Sequence, residues 1–148
     1  MKLSKRARYA LRMMLVLARK PRDKDRISLA EISRITGISR RYMEQLAISL
    51  KNASLIEGAT GKSGGYRLLR SADKIPIGEI VEASIGPIRI VECLDHPDGC
   101  IRSTDCECRL LYEAINQRIV GILNEYTLAD LAGKDWKSKI SPLLQPDK

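Results

Sequence analysis

Residues 28–53 read Ser28-Leu29-Ala30-Glu31-Ile32-Ser33-Arg34-Ile35-Thr36-Gly37-Ile38-Ser39-Arg40-Arg41-Tyr42-Met43-Glu44-Gln45-Leu46-Ala47-Ile48-Ser49-Leu50-Lys51-Asn52-Ala53, and this stretch decides the fold. Ser28 and Glu31 have the spacing of a capping box, in which the serine oxygen accepts from the N3 amide and the glutamate reaches back to the cap. Leu29, Ile32 and Ile35 supply the buried stripe of this helix. Thr36-Gly37 ends it, because glycine enters the left-handed conformation without steric cost. Ser39 can cap a second helix, with Tyr42, Met43, Leu46, Ala47 and Leu50 facing inward. Two helices joined by so short a turn must cross steeply, which is the geometry of a helix-turn-helix. The outward face of the second helix carries Arg40, Arg41, Glu44, Gln45, Ser49 and Lys51. Arg, Gln and Glu can pair with guanine, adenine and cytosine edges in a major groove. A merely solvated helix face holds similar residues, so it is the surrounding motif that favours a DNA reader.

The flanks extend this reading. Ser4 can cap a helix running to about Lys20, with Ala7, Leu11, Met14, Leu15 and Ala18 at helical spacing and Lys5, Arg8, Arg12 and Arg19 on the polar face. Pro21 to Arg26 reads as a polar loop. On the other side, residues 54–60 and 66–69 flank Gly61-Lys62-Ser63-Gly64-Gly65, the pattern of a β-hairpin. Directly after a helix-turn-helix such a hairpin is a wing, whose tip sets Lys62 and Ser63 against phosphate or in the minor groove. Gly61-Lys62-Ser63 is not a nucleotide-binding phosphate loop, since Ile56 stands where glycine is needed and a strand, not a helix, follows. A short helix fits Ile77 to Ser84, stopped by Gly86-Pro87.

From about Arg109, the residues Leu111, Ile115, Ile119, Ile122 and Tyr126 recur every three or four positions along a long helix. Little chain remains to cover that stripe, so the expected cover is the same helix of a second subunit. A two-fold homodimer also presents two recognition helices to a palindromic operator. Thr127 to Leu131 can start another helical turn, and the tail beyond Gly133 is expected to be mobile. The chain is thus expected to be mainly α with a small β-hairpin. It divides into a winged helix-turn-helix domain (1–84), a cysteine-bearing sensor loop (85–109), a dimerisation helix (110–132) and a tail (133–148).

Composition agrees. With 148 residues, 44% hydrophobic and 30% charged, the chain is of single-domain size and has the balance of a soluble globular protein. Phe is absent and Trp occurs once, so Leu, Ile, Val, Ala and Met must build the core. The net charge of +8 is unevenly spread: residues 1–70 hold 17 basic and 5 acidic side chains, leaving 9 and 13 for residues 71–148. A first half of +12 suits double-stranded DNA, and a second half of −4 has another task. The apolar run Met13 to Ala18 is far short of the roughly 20 residues that span a bilayer. Arg12 interrupts any signal-peptide core. The expected setting is cytoplasmic, with neither a membrane nor a small-molecule substrate as partner.

All four cysteines, Cys93, Cys100, Cys106 and Cys108, lie within 16 residues. The spacing is not that of paired C-x-x-C zinc sites. Thiolates are soft ligands suited to iron–sulfur clusters, zinc or copper(I), and a redox thiol pair is the competing use. Simple burial as unligated cysteines suits this acidic loop poorly. His96, the sole histidine, is either a ligand or an exposed loop residue. A Cys-His catalytic pair lacks a third orienting group and an oxyanion motif, so no enzyme is expected.

Several motifs occur together and in order: the opening Met-Lys-Leu-Ser-Lys-(x)2-Arg-Tyr-Ala-Leu, Ile38-Ser39 to Tyr42-Met43-Glu44-Gln45-Leu46, Gly64-Gly65-Tyr66-Arg67-Leu68, and Ile77-Gly78-Glu79-Ile80-Val81-Glu82-Ala83. Across residues 1–132 the chain resembles the Rrf2 family of winged-helix transcription regulators, in its IscR-like and NsrR-like iron–sulfur branch. The resemblance implies a homodimer with a 2Fe-2S or 4Fe-4S cluster held by Cys93, Cys100 and Cys106. It implies base contacts by Arg41, Glu44 and Gln45 and a wing contact by Thr60. The fourth ligand does not carry over, because Arg109 stands at the position of the family's histidine and Arg8 at that of its acidic residue. Cys108 is the local substitute and His96 the second. Cluster-free thiol regulators also occur in the family, and a zinc-stabilised DNA-binding module is a further alternative.

Overall fold

Each of the first three helices starts on a serine. In the computed structural model, which describes residues 3–20, 25–102 and 105–145, α1 spans Lys5–Ala18, α2 Leu29–Thr36 and α3 Arg40–Asn52. Ser4, Ser28 and Ser39 accept from the backbone N–H groups of Ala7, Glu31 and Tyr42 at 3.1, 3.2 and 3.4 Å. Each cap satisfies an amide that the helix itself leaves without a partner. Gly37 ends α2 with φ 72°, and this left-handed residue turns the chain into α3. The turn is further fixed by Ser33 Oγ, which donates to the carbonyl of Ile38 at 2.5 Å.

α1 is the central helix of the core. Its fully buried residues are Ala7, Ala10, Met13, Met14 and Leu17, so the inward stripe is rotated from the expected one, and Leu11 and Leu15 are only half-buried. Met43, Leu46, Ala47 and Leu50 of α3 pack into the same core with Ile32, Leu55 and Ile80. Methionine fills the space that phenylalanine takes elsewhere, because its flexible thioether adapts to irregular gaps. Ile35, expected inside, is 52% exposed, because α2 meets the core mainly through Ile32.

Ser54, at φ 56°, is a non-glycine residue in the left-handed region, and it ends α3. Its N–H donates to the carbonyl of Lys51 and that of Leu55 to Leu50. A glycine takes this conformation without a Cβ penalty, so Ser54→Gly is expected to raise stability by roughly 0.5–1 kcal/mol in urea unfolding. The chain then forms β1 (Ile56–Ala59) and β2 (Gly65–Leu68), an antiparallel hairpin with Ile56 opposite Leu68 and Ala59 opposite Gly65. Ile27 pairs with Tyr66 through two backbone bonds of 3.0 and 2.8 Å, so the segment before α2, expected as a plain loop up to Arg26, adds a third rung to the wing. Gly65 (φ 134°) permits that approach, since a Cβ there would lie 2.5 Å from the Ile27 carbonyl oxygen.

α4 (Ile77–Ile85) lies along α1 and stops at Gly86. Two short 3-10 turns, Glu92–Leu94 and Pro97–Gly99, follow before α5 (Glu107–Glu125). The apolar stripe of α5 does not lie on one face. Ile119 packs on Ala7, Val81 and Ile88, Leu123 and Tyr126 join the core, whereas Leu111 and Ile122 are 59% and 47% exposed. At about 100° per residue, Leu111, Ile115 and Ile122 form a second face roughly a quarter-turn from the inward one. The expected stripe thus merges two surfaces.

After α5 the chain returns to the core. Ile77 N–H donates to the carbonyl of Tyr126 at 2.9 Å and Leu128 N–H to that of Ile75 at 2.8 Å, with Leu128 fully buried at the start of α6 (Leu128–Ala132). Thr127 and Asp130 form a reciprocal capping box. Where a mobile tail is expected, α7 (Trp136–Ile140) follows, and Lys139 ties it to Asp130 at 2.8 Å. The Lys139 ammonium, with the Thr127 backbone and hydroxyl donors, lowers the Asp130 pKa to about 2. The depressed value means that this tie is complete above the ordinary carboxylate range and is lost only as pH falls towards 2. No helix among the described residues is long and apolar enough to cross a membrane.

Candidate nucleic-acid interface and cysteine segment

α3 places its candidate DNA-contacting side chains by simple periodicity. With Met43, Leu46, Ala47 and Leu50 fixed in the core, Arg41, Glu44 and Gln45 are left on the opposite, exposed side, and Arg40 opens the helix beside them. Among the described residues, Arg40, Arg41 and Lys62 make no ion pair, whereas Arg26, Arg67, Arg70 and Arg89 are each held by a carboxylate. Unpaired guanidinium groups on a helix that follows a tight turn are free to take guanine edges or phosphates.

Two residues of this face differ from expectation. Ser49 is not outward: it is half-buried, and its hydroxyl accepts from Arg6 of α1 at 2.6 Å. It sits at the edge of the helix that meets α1, so it belongs to the packing side. Ile48, which residue-type reasoning passes over, is 60% exposed on the same side as Arg41, Glu44 and Gln45. The spacing Arg41, Glu44, Gln45, Ile48 is that of one helix face and is the signal that finds it. An apolar side chain there is suited to a thymine methyl group.

The wing is braced at its base. Arg67 of β2 donates to Glu57 of β1 and, at 2.8 Å, to Asp25, and Arg26 donates to Asp25 at 2.6 Å and to Glu57 at 3.2 Å. The hydrogen bond from Arg67 holds the Asp25 carboxyl below its ordinary value. This network leaves the tip to the solvent, with Thr60, Lys62 and Ser63 all exposed. Arg8 is exposed near the start of α1, about 200° around that helix from Arg6, whose side chain reaches α3. It therefore points away from the side of α1 that meets α3.

The cysteine segment is structured differently from an open loop. Cys93 lies in the first 3-10 turn, Cys100 is exposed after the second, Cys106 is the N-cap residue of α5 and Cys108 is exposed in its first turn. All four are free thiols and His96 is exposed. The donor set has the softness that iron–sulfur or zinc chemistry asks for. The placement does not match it: among the described residues no three His, Cys, Asp or Glu side chains are close enough to share a metal ion. Among the described residues, the four thiols are not gathered into a preformed cage.

Asn116 fixes the segment to α5. It is 6% exposed, its Nδ2 donates to the carbonyl of Ile88 at 3.1 Å, and its Oδ1 accepts from the N–H of Ile90 at 3.0 Å. Nothing in the apolar periodicity of α5 signals this residue, since a lone polar side chain on a helix reads as solvated.

Residues 3–134 match the family described as Rrf2, iron-dependent transcriptional regulator. The HTH-type transcriptional regulator IscR of Vibrio vulnificus is 36% identical over 95% of this chain and 83% of its own. The HTH-type transcriptional regulator NsrR of Halalkalibacterium halodurans is 33% identical over 88% of this chain and 90% of its own. Among solved structures, CymR, the global cysteine regulator of B. subtilis, superposes with a TM-score of 0.75 at 33% identity, covering 89% of this chain and 96% of that one. These relatives are regulators and not enzymes, and their fold is the helix-turn-helix with a two-stranded hairpin described above. The chain belongs to the Rrf2 family of transcriptional regulators.

Proposed function

We propose that the protein acts in the cytoplasm as a homodimer on a palindromic operator, reading bases with Arg41, Glu44 and Gln45 and gripping the backbone with Arg40, Lys62, Ser63 and Thr60. The carrying observation is the unpaired, exposed Arg40–Arg41 pair set on one side of α3 with Glu44 and Gln45. Arg8, exposed near the start of α1, is assigned a separate phosphate contact. The outer face of α5, with Leu111 and Ile122, supports pairing with a second copy, since two such apolar residues gain by leaving water together. In this division of labour residues 1–84 read DNA, 85–109 sense, 110–132 dimerise and 133–148 form the terminal extension.

Lys62 contributes charge and no base discrimination. Lys62→Ala is expected to weaken selected and random duplexes alike and to reduce the slope of log K against log salt by about 1 per subunit. Fluorescence anisotropy titrations at several salt concentrations measure both. A loss confined to the selected sequence contradicts the assignment.

The sensing group is the cysteine segment. The family resemblance favours an iron–sulfur cluster on Cys93, Cys100 and Cys106 with Cys108 or His96 as fourth donor, and this reading requires those cysteines to come together from the positions they hold here. The exposed free thiols Cys100 and Cys108 support a second reading, reversible thiol chemistry without a cluster. Iron, acid-labile sulfide, zinc and visible absorbance of anaerobically purified protein separate them. Colour and iron that vanish in Cys106→Ala support the cluster; a colourless, iron-free protein that resists reconstitution contradicts it. Stoichiometric zinc would point to a structural zinc module.

A further inference from the structure

Arg6, in the first turn of α1, is half-buried, and its guanidinium joins two other helices. Nε donates to the carbonyl oxygen of Ser84 in the last turn of α4, and an Nη donates to Oγ of Ser49 on α3, both at 2.6 Å. The last carbonyls of a helix have no helical amide to accept from, and a cation there also meets the negative end of the helix dipole. One side chain therefore ties the packing edge of the recognition helix to the end of α4.

The end of α4 leads directly to the cysteines. After Gly86 and Pro87, Ile88 packs against Ala7, the residue that follows Arg6, and against Val81. Asn116 clamps Ile88 and Ile90, and Arg89 pairs with Asp95 at 2.6 Å on the far side of Cys93. Arg6 bonds both Ser49 and Ser84, Ser84 Oγ donates to the carbonyl of Val81, and Val81 packs with Ile88, which Asn116 holds, so contacts run from the DNA-reading helix to the segment that leads to Cys93.

We infer that Arg6 is the positioning residue that transmits the chemical state of the cysteine segment to α3. The inference rests on that segment being the sensor. Movement of residues 88–93 displaces the end of α4, and Arg6 can hold both partners only while α3 and α4 keep their present separation. Bridged and unbridged arrangements are therefore distinct states, and a change at the cysteines biases DNA affinity by favouring one.

The test compares affinity for a selected operator before and after iodoacetamide treatment, in wild type, Arg6→Met and Ser49→Ala. Alkylation converts each accessible thiol to a thioether with release of iodide. Ser49→Ala removes one hydroxyl and severs only the α3 arm, so it remains informative if Arg6→Met folds poorly. The expected result is that the ratio of affinities in the two cysteine states falls by roughly 2- to 30-fold in both variants. A merely structural role lowers affinity equally in both states and leaves the ratio unchanged, and that result overturns the inference. A wild type whose affinity ignores alkylation overturns the sensor reading and, with it, this inference. Responsive wild type with equally responsive variants overturns the inference alone.

Discussion

Arg41→Ala is expected to lower affinity for the selected operator by roughly 5- to 150-fold per half-site, the 1–3 kcal/mol carried by a bidentate base contact, with a much smaller loss on random duplex. Arg41 is exposed, has no ion-pair partner among the described residues, and shares its helix face with Glu44, Gln45 and Ile48. Its truncation leaves the core untouched, because the inward residues of α3 are Met43, Leu46, Ala47 and Leu50. The fold should therefore survive and specificity should relax at one base position. Parallel anisotropy titrations on operator and scrambled duplex at fixed salt measure the split. Equal losses on both would make Arg41 a phosphate contact and not a base reader.

Leu50→Ala acts through stability instead. Leu50 is fully buried in the main core, and deletion of such a side chain costs about 2–5 kcal/mol through lost transfer energy and the cavity left behind. For a chain of this size that corresponds to a fall in melting temperature of roughly 5–15 °C. The position matters beyond its volume, because the Leu50 carbonyl accepts from the N–H of Leu55, at the point where the chain enters the wing. Recognition helix and wing should thus loosen together. Thermal unfolding followed by circular dichroism, at one protein concentration to hold dimerisation constant, measures the loss. A change below about 1 kcal/mol would contradict tight packing at this site.

The helix-turn-helix and wing are legible in the sequence because their determinants are local. Ser28, Ser39 and Gly37 act within three residues of themselves: the two serines cap their helices and Gly37 ends α2 in the left-handed conformation. Errors arise where a side chain's partner is distant. Ile35 has the right period for α2 but meets too little core to be covered, and Ser49 is captured by Arg6, 43 residues away. The bridge between Ile27 and Tyr66 is invisible for the same reason. On α5 the intervals of three and four fit two adjacent faces equally well, so periodicity alone merges the inward Ile119 with the outward Leu111 and Ile122. Residue type shows only that the cysteines are soft donors, and their arrangement depends on the 3-10 turns, the Asn116 clamp and the start of α5, which spacing does not specify.

The central proposal is that α3 and the wing read DNA and that the segment carrying Cys93, Cys100, Cys106 and Cys108 adjusts how well they do so. The most direct test is the dissociation constant of the wild-type protein for its selected operator, measured in one preparation with its cysteines intact and after alkylation. The account predicts a change of at least tenfold with the melting temperature held within a few degrees. An unchanged dissociation constant after complete alkylation of the four cysteines would contradict it.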